Sequence, residues 1–491
     1  MDTGTQIFLL VAVGTALAFE FVNGFHDTAN AVATVIYTRS LPPRVAVLWS
    51  GLMNFLGVHL GGIAVAYAIV NLLPIDLVVG SHTHEGRAMV FALLTSAIVW
   101  NVLTWWRGLP ASSSHALIGS ILGVGIANAW MRGLPLGAGV NWAKVTEIGI
   151  SLMFSPMLGF ICAAVLLMVA RKVFTSPELH TPQTGERPPP PAVRATLFLT
   201  CTGVSLAHGS NDGQKGVGLI MLILISVLPA RFALDPHLDR ARIERAVRAT
   251  HTVEEVLARV PASPGAGAAP ASAIVGLAAT ETPARGAGDG TPALPAPGPL
   301  VAAHTERVRR LLSSASSASS VAEADRFALR ESILRISSTV AAVEKRPRLA
   351  LSAADRAALS GAHKDLRAVT DYAPEWVLMA VALALGIGTT VGWKRIVVTV
   401  GEKIGKTHMT YAQGATAELV AMGAIGLAAS AGMPVSTTHV LASGIAGTMA
   451  AQRSGLQAGT LKSIALAWVL TLPVTMGMAA ALFPLYCWVL R

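Results

Sequence analysis

Hydrophobic residues in this chain gather into runs, roughly at 5–22, 45–73, 88–106, 116–130, 145–170, 195–207, 216–229, 374–393, 411–431, 438–452 and 463–490. Runs near 20 residues without period-2 alternation predict transmembrane α-helices, not barrel strands. Several runs are too short, or too interrupted by Gly and Pro, to cross a bilayer alone, which predicts broken and re-entrant helices. The expected fold is an all-α polytopic membrane protein with about 10–12 membrane segments.

Two polar regions interrupt this pattern. Residues 171–194 form a short basic linker ending in ERPPPPAVR. Residues 231–371 form a long insert. Its flanks, DRARIERAVRATHTVEEVLARV (239–260) and roughly 320–370, carry apolar residues at helical period among charges. The stretch 256–303 and the run LLSSASSASS (311–320) are rich in Ala, Pro and Ser, which predicts a disordered centre.

An internal repeat organises the rest. NGFHDTANAVATV (23–35) echoes HGSNDGQKGVGLI (208–220), and LPASSSHALIGSILG (109–123) echoes MPVSTTHVLASGIAG (433–447). Asp27 precedes His115 by 88 residues and Asp212 precedes His439 by 227, a difference that the insert accounts for. The chain therefore divides into a first transmembrane repeat (1–170), a linker (171–194), and a second repeat (195–230 and 372–491) split by the insert 231–371.

Charge sets the expected orientation. The linker carries Arg171, Lys172, Arg187 and Arg194, and the loop 394–408 carries Lys394, Arg395, Lys403 and Lys406, so both belong in the cytoplasm. One pass over 195–230 then places the insert outside, in the periplasm. The first half runs inverted: its start holds Asp2 and no basic residue, whereas TRSLPPR (38–44) lies inside. Two inverted-topology repeats with both termini outside follow.

Composition agrees: 53% of residues are hydrophobic and 13% charged, against about 25% charged in soluble proteins. The net charge of +10 reflects loop Lys and Arg. No basic stripe with interleaved aromatics appears, so no nucleic acid is expected as partner. Cys162, Cys201 and Cys487 lie in apolar runs without metal-ligand spacing and read as buried thiols. His82 and His84 fall in a predicted outer loop and read as solvated.

The repeated motifs carry the chemistry. In PASSSHALIGS, Pro fits a helix start, Ser satisfies free N–H groups, and a Gly-containing apolar helix follows. A helix starting inside the membrane turns its N–H groups, dipole and hydroxyls toward a cavity, which suits an anion. One copy is explained by ordinary capping. Two matched copies, Ser112, Ser113 and Ser114 with Ser436, Thr437 and Thr438, suit a small tetrahedral oxyanion. Asp27 and Asp212 sit where helix breaks are expected, near Gly24 and Gly209. A charge at the bilayer centre costs about 3 kcal/mol, so these carboxylates need a wet cavity or a partner. Broken-helix carbonyls with a carboxylate hold Na⁺, or the carboxylate carries a proton. Asp212 and Lys215, three apart on a helix, are also placed to pair. Glu418 lies in an apolar run as a further proton or cation ligand. Glu20, Asn54, His59 and Asn101 read as helix-packing groups. No nucleophile–base set or metal triad emerges, so no enzyme is expected.

The residues NGFHDTANAVATVIYTRSL, GLPASSSHALIGS, AHGSNDGQKGVGLIMLILI, VALALGIGTTVGWKRIVVTVGEKIGK, MTYAQG and GMPVSTTHVLASGIAGT together resemble the low-affinity inorganic phosphate transporters of the Pit family, most of all the enterobacterial type. The likeness covers the membrane part and fades in the insert. It implies a phosphate symporter of the bacterial inner membrane, with the substrate between two inverted repeats. Phosphate is then held by Ser112, Ser113, Ser114, Ser436, Thr437, Thr438, Gln214 and Lys215. Asp27, Asn30, Asn211, Asp212 and Glu418 serve the coupling ion or metal, and His26, His115, His208 and His439 support them. Sodium-using relatives carry Asn-Asp-x-x-Asn in both halves; here His26 replaces one Asn and Lys215 another. An ammonium at a sodium-ligand position repels Na⁺, and histidine titrates near neutral pH, so protons are the expected coupling ion. The resemblance also implies that phosphate travels as a neutral complex with Mg²⁺, Zn²⁺ or another divalent metal, with no permanently bound cofactor. A homodimer is implied by resemblance alone. Sodium coupling and a passive anion channel stand as alternatives.

Overall fold

The computed structural model describes residues 2–70, 84–140, 142–182, 188–260, 297–344 and 351–490. Among them no strand forms, and one isolated bridge joins Gly405 to Leu456. Helix α1 (Thr3–Asp27) starts on Asp2, whose carboxylate accepts the Thr5 N–H at 2.5 Å. It runs into α2 (Ala29–Tyr37). Two prolines then open long helices, α3 (Pro43–Leu60) here and α8 (Pro191–Val227) after the linker. Between these lie α4 (Ala64–Val70), α5 (His84–Trp106), α6 (Ser113–Met131) and α7 (Trp142–Val173).

The insert contributes α9 (Arg240–Ala258), α10 (Pro297–Ser313), α11 (Glu323–Glu344) and α12 (Ala353–Arg367). These four pack around their own core, which includes Ile243, Val253, Leu257, Val308, Leu312, Leu329, Ile333, Ile336, Leu359 and Leu366. The insert is tied to the membrane part by a buried cation. Arg330 donates to the carbonyls of Ala233 (3.1 Å) and Thr370 (2.8 Å), at the insert's two ends, and its guanidinium lies over the Tyr67 ring of α4. The run 311–320, expected to be disordered, is ordered. It completes α10 and forms a capped turn in which Ser317 and Ser320 bond reciprocally. Neighbouring apolar residues Leu312 and Ala318 enter the core and hold the serines in place. The centre of the insert, 261–296, and His82 lie outside the described residues.

The chain then re-enters the membrane part as α13 (Glu375–Thr390), α14 (Lys394–Glu402), α15 (Tyr411–Ser430), α16 (Thr437–Ala451) and α17 (Ala458–Val489). Among the described residues six helical spans are long and apolar enough to cross a membrane, or seven if the pair α13 and α14, bent by 64°, counts as one. The larger sequence count took in shorter runs, such as 216–229, most of which lies in α8, and 438–452, most of which lies in α16. Cys201 and Cys487 are buried, as their apolar runs suggested, whereas Cys162, on a helix face that is largely exposed, is only partly buried.

The helix breaks expected near Gly24 and Gly209 do not occur. Helix α8 is continuous through Gly209, and the only interruption near Gly24 is Thr28, which keeps right-handed helical angles (φ −51°, ψ −37°). The glycines serve packing instead. A Cβ on Gly24 would meet the Leu385 carbonyl oxygen of α13 at 2.3 Å, and one on Gly209 would meet that of Asn54 on α3 at 2.2 Å. Small residues here let helix backbones touch.

Packing is reciprocal between the two halves. Helix α1 lies along α13 while α8 lies along α3; α6 lies along α17 while α16 lies along α7. Glycines again set the closest approaches: a Cβ on Gly123 would lie 2.1 Å from the Met476 carbonyl oxygen, and one on Gly447 2.2 Å from that of Phe160. Gly123→Val and Gly447→Val should each lower stability by about 3 kcal/mol through overpacking. Gly477→Ala, with no atom within 4 Å of the added Cβ, should leave it unchanged. Thermal unfolding of the purified protein in detergent checks all three.

Candidate anion and cation site

Helices α6 and α16 begin alike. In each, a left-handed glycine (Gly108, φ +67°; Gly432, φ +67°) turns the chain back after the preceding helix. A proline follows, and then the hydroxyl triplet. Ser112 caps α6 by accepting the His115 N–H at 3.2 Å, and Ser436 caps α16 by accepting the His439 N–H at 3.2 Å. The imidazoles of His115 and His439 stack with ring centroids 4.7 Å apart, so the two helix starts meet. His439 also stacks on Trp468 at 4.0 Å, and the Trp468 indole donates to the Pro110 carbonyl at 2.8 Å.

The Asp27 carboxylate sits where they meet. One oxygen accepts the Thr438 hydroxyl at 2.8 Å and the other accepts the Ser113 hydroxyl at 3.2 Å. Thus one acid from α1 joins the starts of α16 and α6. Asn30, one turn further, donates to the hydroxyls of Thr437 (3.1 Å) and Thr438 (3.0 Å). His26 Nδ1 lies 3.0 Å from Asp27, and its Nε2 lies 3.1 Å from the Thr104 hydroxyl on α5. The surroundings are closed: Asp27, Asn30, Ser113, Thr437 and Thr438 are all buried.

The second motif approaches from α8. Asp212 pairs with Lys215 at 2.8 Å, as the i, i+3 spacing allowed, and both are fully buried. His208 Nε2 lies between the acids, 3.5 Å from Asp212 and 3.8 Å from Asp27. Ligand atoms of Asp27, His208 and Asp212 all fall within 4.8 Å of one another, a grouping able to hold a metal ion. Two carboxylates and one imidazole suit Zn²⁺, and the carboxylates alone suit the harder Mg²⁺. Among the described residues Asp212 Oδ1 has no partner, His208 Nε2 makes no hydrogen bond, and the Lys215 ammonium meets only Asp212. Buried polar atoms left this way point to a guest that completes them.

Not every expected residue faces that centre. Ser112 and Ser436 are spent on capping. Ser114 donates to the Val435 carbonyl at 3.2 Å, and Asn211 to the Met433 carbonyl at 3.3 Å, both in the loop before α16. Gln214 accepts the Val65 N–H at 2.8 Å and donates to the Ser210 carbonyl at 2.6 Å, anchoring α4. Glu418 is fully buried on α15, where the hydroxyls of Thr34 (α2) and Thr200 (α8) donate to it.

Some contributors were passed over as packing groups. The Asn54 amide oxygen accepts from His208 Nδ1 at 3.0 Å and its amide nitrogen donates to the Thr389 hydroxyl at 2.8 Å, so Asn54 orients the imidazole. Glu20 is fully buried and lies against Gly216, where an added Cβ would meet the Glu20 side chain at 2.3 Å. Glu20, Asn23 and Asp27 share one face of α1 at i, i+3 and i+7. That spacing, in a run otherwise apolar, was a signal available in the sequence.

Helical spans with a closed polar centre, holding acids, an ammonium and hydroxyl-bearing helix starts, define a multi-pass membrane transporter, not an enzyme. The chain belongs to the phosphate transporter family (PHO4), whose profile matches residues 23–479, and it is a phosphate transporter. It is 42% identical over 497 residues to the low-affinity inorganic phosphate transporter PitB of Escherichia coli K12, covering 98% of this chain and 97% of that protein. With PitA of the same organism identity is 43% over 495 residues, at the same coverage. A probable low-affinity inorganic phosphate transporter of Bacillus subtilis is 27% identical, covering 96% of each chain. Among solved structures, "the sodium-dependent phosphate transporter" shares the fold at a TM-score of 0.52 and 18% identity, covering 98% of each chain.

Proposed function

We propose that the chain carries phosphate across the bacterial inner membrane by symport with protons, the phosphate entering as a neutral complex with a divalent metal. Two inverted repeats form the carrier; the reciprocal packing of α1 with α13 and α8 with α3 supports that reading. The starts of α6 and α16 offer phosphate the Thr437 hydroxyl directly, and those of Ser113 and Thr438 once the metal of the complex engages Asp27, to which both donate in this closed arrangement. The metal of the complex falls to Asp27, His208 and Asp212. Lys215 neutralises Asp212 and faces the anion. Because the centre is buried, substrate reaches it when the helices rock apart to one side and then the other.

The observation that carries proton coupling is the Lys215 ammonium, 2.8 Å from Asp212. It fills with a fixed positive charge the position where sodium-using relatives offer an amide oxygen. The matching amide in the first half, Asn30, donates to Thr437 and Thr438. His26 and His208 stand beside the acids, 3.0 Å from Asp27 and 3.5 Å from Asp212, so a proton on either carboxylate has a second base within reach. A sodium-coupled carrier is the rival, since the solved transporter sharing the fold is named sodium-dependent.

Uptake of labelled phosphate into proteoliposomes separates the two. An inward proton gradient should drive accumulation, Mg²⁺ or Zn²⁺ should be required, and chelation should stop it. Equal uptake driven by a sodium gradient alone would sink proton coupling, and full uptake under chelation would sink the metal complex.

A further inference from the structure

We infer that a second, separate site binds the phosphate headgroup of an anionic phospholipid, in a pocket between the end of α5 and the bend from α13 into α14. The cavity measures about 680 Å³ and is lined by Trp105, Trp106, Arg107, Trp393, Lys394, Arg395 and Lys403, among others. Its frame is fixed by the protein itself. The Trp105 indole donates to the Gly392 carbonyl at 2.7 Å. Arg395 lies over the Trp105 ring, 5.3 Å from its centroid, and donates to the Trp106 carbonyl at 2.9 Å. Gly392, at φ +69°, is pressed so close that a Cβ would stand 3.0 Å from the Trp105 ring.

Among the described residues the remaining cations form no ion pair. No carboxylate lines the pocket, and none among the described residues pairs with Arg107, Lys394 or Lys403. A neighbouring groove of about 430 Å³ shares Trp393, Lys394 and Val398 and adds Arg39, His408 and a single acid, Glu402. Three free cations around one cavity select a phosphate group. The choice between a lipid headgroup and a soluble phosphate compound rests on the other half of the lining. Three indoles and Val398 form an apolar wall, and Trp106 is 59% exposed at the end of a membrane-spanning helix. Trp at that depth meets the headgroup layer, and basic pockets between membrane helices suit anionic headgroups. A small inorganic anion gains nothing from such a wall. The pocket is distinct from the Asp27 centre, so the inference does not depend on which ion couples transport.

Native mass spectrometry of the purified protein, in detergent with equal phosphatidylglycerol and phosphatidylcholine, tests this. The first lipid retained should be phosphatidylglycerol. The variant Arg107→Gln/Lys394→Gln/Lys403→Gln should bind it about 100-fold more weakly, roughly fivefold per cation. Trp106→Ala, with every cation kept, should also lower retention. Millimolar inorganic phosphate or tripolyphosphate should leave the lipid in place. Equal retention by wild type and triple variant would overturn the site, and displacement by either soluble anion would overturn the lipid assignment. Should the triple variant fail to fold, Lys403→Gln alone, exposed at the end of α14, carries the comparison with a drop of about fivefold.

Discussion

Asp27→Asn should reduce phosphate uptake by about 100-fold or more while leaving a folded, monodisperse protein. Each oxygen of the Asp27 carboxylate accepts one hydroxyl, Thr438 at 2.8 Å and Ser113 at 3.2 Å, from the starts of two different helices. An amide offers one acceptor oxygen, so one hydroxyl loses its partner and faces an N–H₂ group instead. The substitution also removes the negative charge that His26 (3.0 Å) and His208 (3.8 Å) face. Removing the charged member of a buried hydrogen-bonded set costs about 2–5 kcal/mol, and here the cost falls on the centre that must close around substrate. The helices remain packed through contacts elsewhere, such as Gly24 on α13 and Gly209 on α3. Initial rates in proteoliposomes, with melting temperature as the control for folding, check this. An uptake rate within about threefold of wild type, a difference under 1 kcal/mol, would remove Asp27 from the transport centre.

The sequence was most legible where it repeats. The paired PASSSH and PVSTTH segments placed the starts of α6 and α16 correctly, because Pro and hydroxyl residues cap helices by local chemistry. The i, i+3 spacing of Asp212 and Lys215 likewise gave their ion pair. Glycine misled. Gly24 and Gly209 beside acids suggested broken helices, yet both helices continue and the glycines answer to neighbouring backbones. Whether a glycine bends its own helix or admits another is decided by packing at long sequence separation. The same holds for the hydroxyls: three per helix start were counted as open to the anion, but Ser112, Ser436 and Ser114 are taken by the protein. Asn54 was hidden for a related reason. Its value lies in holding His208, 154 residues away, and nothing local announces that contact. Glu418 illustrates the converse: its burial in an apolar helix was readable, whereas its partners Thr34 and Thr200 come from other helices.

On the proposed reading Lys215 selects protons over sodium, and two substitutions divide its roles. Lys215→Met removes the ammonium and supplies no oxygen. Asp212, fully buried and 2.8 Å from that ammonium, is then left uncompensated, at a cost of about 3–5 kcal/mol. Proton-driven uptake should fall by about 100-fold or more, and sodium should not restore it. Lys215→Asn removes the same charge but places an amide oxygen near Asp212 and Asp27. A small cation could then take the place the ammonium filled, held by carboxylate and amide oxygens as hard-cation chemistry prefers. In proteoliposomes without sodium, Lys215→Asn should be as inactive as Lys215→Met. Under an inward sodium gradient Lys215→Asn alone should recover measurable uptake. An unchanged dependence on protons in Lys215→Asn would show that the ammonium does not govern the coupling ion. Sodium stimulation already present in the wild type would reassign the buried pair to holding the helix together.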